Sequence, residues 1–147
     1  MIKLFSYLAA IDRLSTHGNL FAKNCAPSAA CEACGEAESG HHLFFVCAAA
    51  AAVWALLAIP AAQAGASLWT LEPPTPLPIH VWRAGLATLL WHIWKARNYV
   101  VFNSRSTSPS AIIRRAAEDL LLWSARFPTS DQDDLQRLCA LFQTCAM

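Results

Sequence analysis

An all-α fold is predicted by three observations. Apolar residues recur at helical spacing in several separate segments, and no segment sustains the period-two alternation of a strand. Prolines and capping residues fall between the helical segments, where they can start or stop a helix. The 147 residues, 56% of them hydrophobic and six of them tryptophan, suffice for one domain with a modest core and are too few for a polymerase.

The first segment carries Leu4, Leu8, Ile11 and Leu14 at helical spacing, which predicts an amphipathic helix covering the core. Lys3 before this apolar run has the outline of a signal peptide. The run is short, however, and Asp12-Arg13 stands where small residues would mark cleavage, so secretion is not expected. Between Glu38 and Glu72 there is no Asp, Glu, Lys or Arg, a stretch long enough to span a bilayer. Its alanine content, Pro60 and Gln63 argue instead for a core helix over 48–58 followed by a loop.

Pro60, Pro73, Pro74, Pro76 and Pro78 break helix and central strand alike, so 60–79 reads as an extended connector. A long helix is predicted over 79–103, with Trp82, Leu86, Leu89, Ile93 and Val100 on one stripe, widened by Leu90 and Trp94. So wide an apolar surface calls for a partner, either the N-terminal half or a second chain. Ser108-Pro109 marks the next helix start, serine as cap and proline in the first turn, with Pro128 after its end. A last short helix carries Leu135, Leu138, Leu141 and Phe142, with Ser130 as its cap and Asp133 completing a capping box.

Cys31, Cys34, His42 and Cys47 read C-x2-C-x7-H-x4-C, three thiolates and one imidazole in the spacing of a tetrahedral zinc site. Four protein ligands leave no open position for an activated water, so one structural Zn2+ is expected. Gly35 behind the first pair permits the tight turn of a zinc knuckle, and 38–47 is expected to form a short helix returning His42 and Cys47. His41 is the alternative ligand, because neighbouring helical positions point about 100° apart and only one can face the metal. The chain thus divides into a zinc-binding helical module (1–59), the connector (60–79) and a Trp-rich helical half (80–147). Cys25, Cys139 and Cys145 are left over from six cysteines, an odd number that speaks for a reducing compartment, nucleus or cytoplasm.

Cys31-x2-Cys34-Gly-x-x-Glu38-Ser-x-x-His42-Leu43-Phe44-Phe45-x-Cys47, followed by Val53-Trp54, resembles the reverse-transcriptase zinc-binding domain of plant non-LTR (LINE-type) retrotransposons. Upstream, Asp12-Arg13-Leu14-Ser15-Thr16-x-x-Asn19-Leu20 is similar to a second segment of that family. Downstream, Leu90-Trp91-His92-Ile93-Trp94-Lys95-Ala96-Arg97-Asn98-x-x-Val101-Phe102 looks like the helix after the zinc module. The resemblance implies a non-catalytic module of a polyprotein. The polymerase and ribonuclease H domains of such elements do not fit in 147 residues, so the chain reads as a fragment.

No phosphate-binding glycine loop and no nucleophile–base spacing is present, and Asp131, Asp133 and Asp134 lack the apolar strand flanks of a polymerase metal site. Charge is uneven: residues 1–72 carry −2, residues 73–130 carry +5 and the tail −2. Lys95, Arg97, Arg105, Arg114 and Arg115 form the basic group, the candidate contact for RNA or DNA. Trp91 and Trp94 are expected in the core, with Arg97 and Asn98 capping or pairing with neighbouring backbone, and His17, His80 and His92 as surface or satisfied core histidines. The readings are therefore a nucleic-acid-associated zinc module, a protein-binding or self-associating scaffold acting through the Trp-rich helix, or a gene remnant without a selected role.

Overall fold

The computed structural model describes residues 1–60 and 70–147; the connector positions 61–69 lie outside the described residues. Among the described residues six α-helices run in the order α1 (Ile2–Ala10), α2 (His17–Ala22), α3 (Ala48–Leu56), α4 (Ile79–Asn103), α5 (Pro109–Trp123) and α6 (Gln132–Cys145). No strand occurs among the described residues, only an isolated antiparallel bridge between Ala30 and Ala37. The all-α expectation holds.

α4 is the central element, packed by α1, α5, α6 and the turn at His42–Val46. Its apolar surplus is thereby covered from within: Val81, Trp82, Leu86, Leu89, Leu90 and Ile93 are all buried. The stripe reaches Val100 only as a half-buried residue, and Tyr99 and Phe102 face outward. Tryptophan burial leaves an N–H to satisfy. Trp82 Nε1 donates to the Leu71 carbonyl at 2.6 Å, which pins the end of the connector to α4, and Trp54 Nε1 donates to the Phe44 carbonyl at 2.6 Å.

α1 turns a different face inward from the one its spacing suggested. Phe5 is buried, edge-on to Phe44 and to Trp91, while Leu4 and Ile11 are 62% and 45% exposed. The helix stops at Ala10 and Asp12 takes a φ of +51°, so Leu14 is buried from outside the helix and never shared a phase with Leu4. The α5 start follows the sequence: Ser108 Oγ accepts from the Ala111 amide at 3.2 Å with Pro109 in the first turn. The α6 start does not. A 3-10 turn over Thr129–Asp131 leads into the helix without a side-chain cap, and the carboxylate of Asp131 pairs with His80 Nε2 at 3.0 Å. Asp133 and Asp134 still occupy the first turn, where the helix dipole favours them.

His92 is buried on α4 with Nε2 2.7 Å from Asp119 Oδ2 on α5. Burial is the largest influence and pushes its pKa below the ordinary 6.5; Lys95 and Arg115 act in the same direction, and Asp119 opposes them. A folded-state pKa below the unfolded value means the unfolded chain takes up a proton that the folded chain refuses, so stability falls as pH drops through 6.5. Between about pH 7.5 and about pH 5 the Tm of the parent chain should fall more than that of His92→Gln, whose amide keeps a donor toward Asp119. Parallel slopes in thermal melts of the two proteins would take His92 out of the pH dependence.

Candidate metal centre

The first two ligands sit on a small hairpin. Gly35 at φ +80° makes a turn that L side chains rarely adopt, and its amide donates to the Cys31 carbonyl at 2.8 Å. The Cys31 amide donates to the Glu36 carbonyl at 2.7 Å, and the Glu38 amide to the Ala29 carbonyl at 2.8 Å, closing the loop from both sides. The backbone amides of Ala33 and Cys34 point at the Cys31 sulfur, as a knuckle requires.

The second two ligands come from a π-helical turn over His42–Val46, where an ordinary short helix was expected. The spacing explains the difference. An α-helix rotates positions five apart by about 140°, which would point Cys47 away from the metal. The i→i+5 turn, closed by the Cys47 amide on the His42 carbonyl at 2.8 Å, puts both on one side. Ser39 Oγ accepts from the His42 amide at 3.0 Å and fixes the entry to this turn. His42 is buried, and its Nε2 lies 3.3 Å from Cys34 Sγ; His41 is exposed and lies against Phe45. The choice between the two histidines is thus His42.

The donor atoms of Cys31, Cys34, His42 and Cys47 all lie within 4.8 Å of one another, with Cys31 and Cys47 sulfurs 4.0 Å apart. Zinc bonds of about 2.3 Å to sulfur and about 2.0 Å to nitrogen place tetrahedral donors some 3.5 to 3.8 Å apart, so the set fits the ion. Burial pushes the Cys31 thiol up to about 12, and the neighbouring Cys47 and Cys34 sulfurs add to the effect. A cation beside the Cys31 sulfur would offset this burial and favour its thiolate. One structural zinc ion accounts for the cluster, held by four protein ligands and closed to substrate.

Glu38, to which the ligand spacing gives no clue, joins this centre to the rest of the fold. Its side chain is fully buried, accepts from the His17 amide at 2.7 Å, and receives a two-pronged contact from Arg97, Nε to Oε2 at 3.0 Å and Nη2 to Oε1 at 2.5 Å. Arg97 also donates to Asn98 Oδ1 and lies over the Trp94 ring. Contrary to its place among the candidate nucleic-acid contacts, Arg97 has a side chain only 9% exposed and committed to Glu38, so it is no free cation for a phosphate. Lys95, Arg105, Arg114 and Arg115 are exposed, and Lys95 Nζ sits over the Trp91 ring.

The remaining histidines find partners distant in the chain: His17 Nδ1 lies 2.7 Å from the Ala30 carbonyl, behind the knuckle, and His80 and His92 pair with Asp131 and Asp119. Thr16 caps α2 through the Asn19 amide, and the Asn19 side chain donates to the carbonyls of Asp12 and Leu14, which gives the upstream motif a structural meaning. All six cysteines are free of disulfides.

Residues 1–54 match the protein family described as zinc-binding in reverse transcriptase. That segment contains all four metal ligands and is a zinc-binding region distinct from a polymerase active site. No curated protein matches the chain, and neither does any solved structure.

Elemental analysis of protein purified without chelator should give one zinc per chain. Cys34→Ser, at an exposed ligand whose replacement disturbs little packing, should lose the metal and melt lower, while Cys25→Ser at another exposed thiol should change neither. Zinc retained in Cys34→Ser would remove Cys34 from the ligand set. Glu38→Gln or Arg97→Met, each leaving one partner of a buried pair uncompensated, should cost about 3–5 kcal/mol in denaturant unfolding. The double variant should cost clearly less than the two summed; additive losses would mean the pair is not coupled.

Proposed function

We propose that this chain is a non-catalytic zinc-binding module of a reverse-transcriptase polyprotein from a plant LINE-type retrotransposon, acting inside the cell, in nucleus or cytoplasm. Its role is to touch RNA or DNA beside a polymerase. The family match over residues 1–54 and the two flanking motifs support the origin. The observation that carries the nucleic-acid part is the exposed cationic surface: Lys95 near the end of α4, Arg105 in the following loop, and Arg114 and Arg115 on α5. Zinc shapes the N-terminal half and does not itself contact phosphate, since residues 1–72 carry net negative charge.

The self-association reading has less support, because the tryptophan-rich stripe of α4 is occupied by the chain's own helices. Exposed Lys and Arg side chains bind polyanions by releasing counterions, with little regard for sequence.

Fluorescence anisotropy of a labelled single-stranded RNA across a salt series tests the reading. Four phosphate contacts predict a slope of log affinity against log salt of about −3, and each Lys or Arg to Ala change among Lys95, Arg105, Arg114 and Arg115 should reduce it by about 0.7. No binding at low salt, or binding indifferent to all four substitutions, would overturn it.

A further inference from the structure

We propose that the cleft between the zinc knuckle and α4 is a binding site for a small, uncharged, apolar molecule about the size of benzene. The cleft has a volume of about 100 Å³. Leu43, Ala50, Ile93, Ala96, Val100 and Ile112 form its apolar walls. The space exists because small side chains face it from two directions, Ala49 and Ala50 on α3 and Ala96 on α4, where larger ones would close it. The proposal is independent of nucleic-acid binding.

The chemistry of the lining selects the ligand. Glu38 and Arg97 are the charged groups that reach the interior, and each is saturated by the other and by its neighbours. Among the described residues no buried side-chain nitrogen or oxygen lacks a partner, so the polar groups free to bond a ligand are those nearer the rim, on Glu32, Ser106 and Thr107, and the interior offers none. Water has little to bond there. Apolar cavities of about 150 Å³ stay dry and take up benzene or xenon, and this cleft is of that order. A flat ring or a compact branched hydrocarbon fits the volume; a fatty acid or a nucleotide does not.

Entry needs no unfolding, since the rim includes the exposed residues Glu32, Ala33, Ala49 and Ser106. One wall is built from Cys31 and Cys47, so the site is complete when the knuckle is held in place.

The test uses the zinc-loaded full chain. Thermal melts with benzene at rising concentration should show a saturable increase in Tm, and at ten times Kd the folding equilibrium constant should rise about elevenfold. Dissolved xenon should give a shifted, exchange-broadened 129Xe NMR signal that benzene displaces. Ala96→Leu fills the cleft from α4 and should abolish both responses with zinc content unchanged. Ala49→Leu, at an exposed rim position, makes the same test should Ala96→Leu fail to fold. Absence of any benzene or xenon response in the parent chain would show a packing gap only and overturn the proposal. Equal responses in the parent and the folded leucine variants would place the binding elsewhere and overturn it as well.

Discussion

The buried pair between Glu38 and Arg97 is the constraint on which the two halves of the molecule depend. Removing a carboxylate and a guanidinium from water costs several kcal/mol for each ion, and a lone Coulomb attraction does not reliably offset it. Here both oxygens are occupied: Oε1 by the His17 amide and Arg97 Nη2, Oε2 by Arg97 Nε. Arg97 is in turn held by Asn98 and lies over Trp94. A fully satisfied network of this kind fixes position more than it adds net stability. It fixes α2, the knuckle and α4 in one register.

Zinc and this pair act on the same short stretch of chain from opposite ends. Cys31 and Cys34 anchor the hairpin before Glu38, and His42 anchors the turn after it. With its flanks held by the metal, Glu38 loses little further freedom on meeting Arg97, so the ordering cost of the pair is largely met before it forms. The Gly18 amide donates to the Glu38 carbonyl at 3.0 Å, and a Cβ at Gly18 would collide with that oxygen. The close approach of α2 to the knuckle therefore depends on glycine at this position.

The sequence made visible whatever depends on local spacing. The C-x2-C turn, the Ser108-Pro109 start and the span of α4 are written in residues a few positions apart, and each appears where spacing places it. Failures came where a distant partner decides the outcome. Glu38 and Arg97 are 59 positions apart, and nothing local in either segment announces the other. The cap position of α6 falls to Asp131 and not to Ser130, and its carboxylate pairs with His80, again a tertiary choice. α1 is apolar on more than one face, so periodicity could not say which face Phe44 and Trp91 would claim. The Ser130 capping box and the π-turn are local features that differ from their spacing, although for the π-turn the five-residue step from His42 to Cys47 holds the signal. An α-helix cannot place that pair on one side.

The same internal pair bears on charge. Burying Glu38 against Arg97 takes one charge from each half, which lowers residues 73–130 from +5 to +4 at the surface. What is left there is unevenly disposed. Lys95 and Arg115 both act on His92 and so belong to one neighbourhood, shared with the carboxylate of Asp119. Arg114 borders a surface depression with Glu118 and Gln143 near the end of α6. Acidic groups therefore sit beside parts of the basic surface, and a polyanion crossing it meets interruptions where an unbroken stripe would hold it continuously. On the proposed reading, such a surface would give only weak, salt-sensitive contact by itself, and a second modest site on the same polypeptide would add to it through effective concentration. In the proposed role, a module whose zinc is sealed within four ligands would contribute shape and orientation, and its cations most of the attraction.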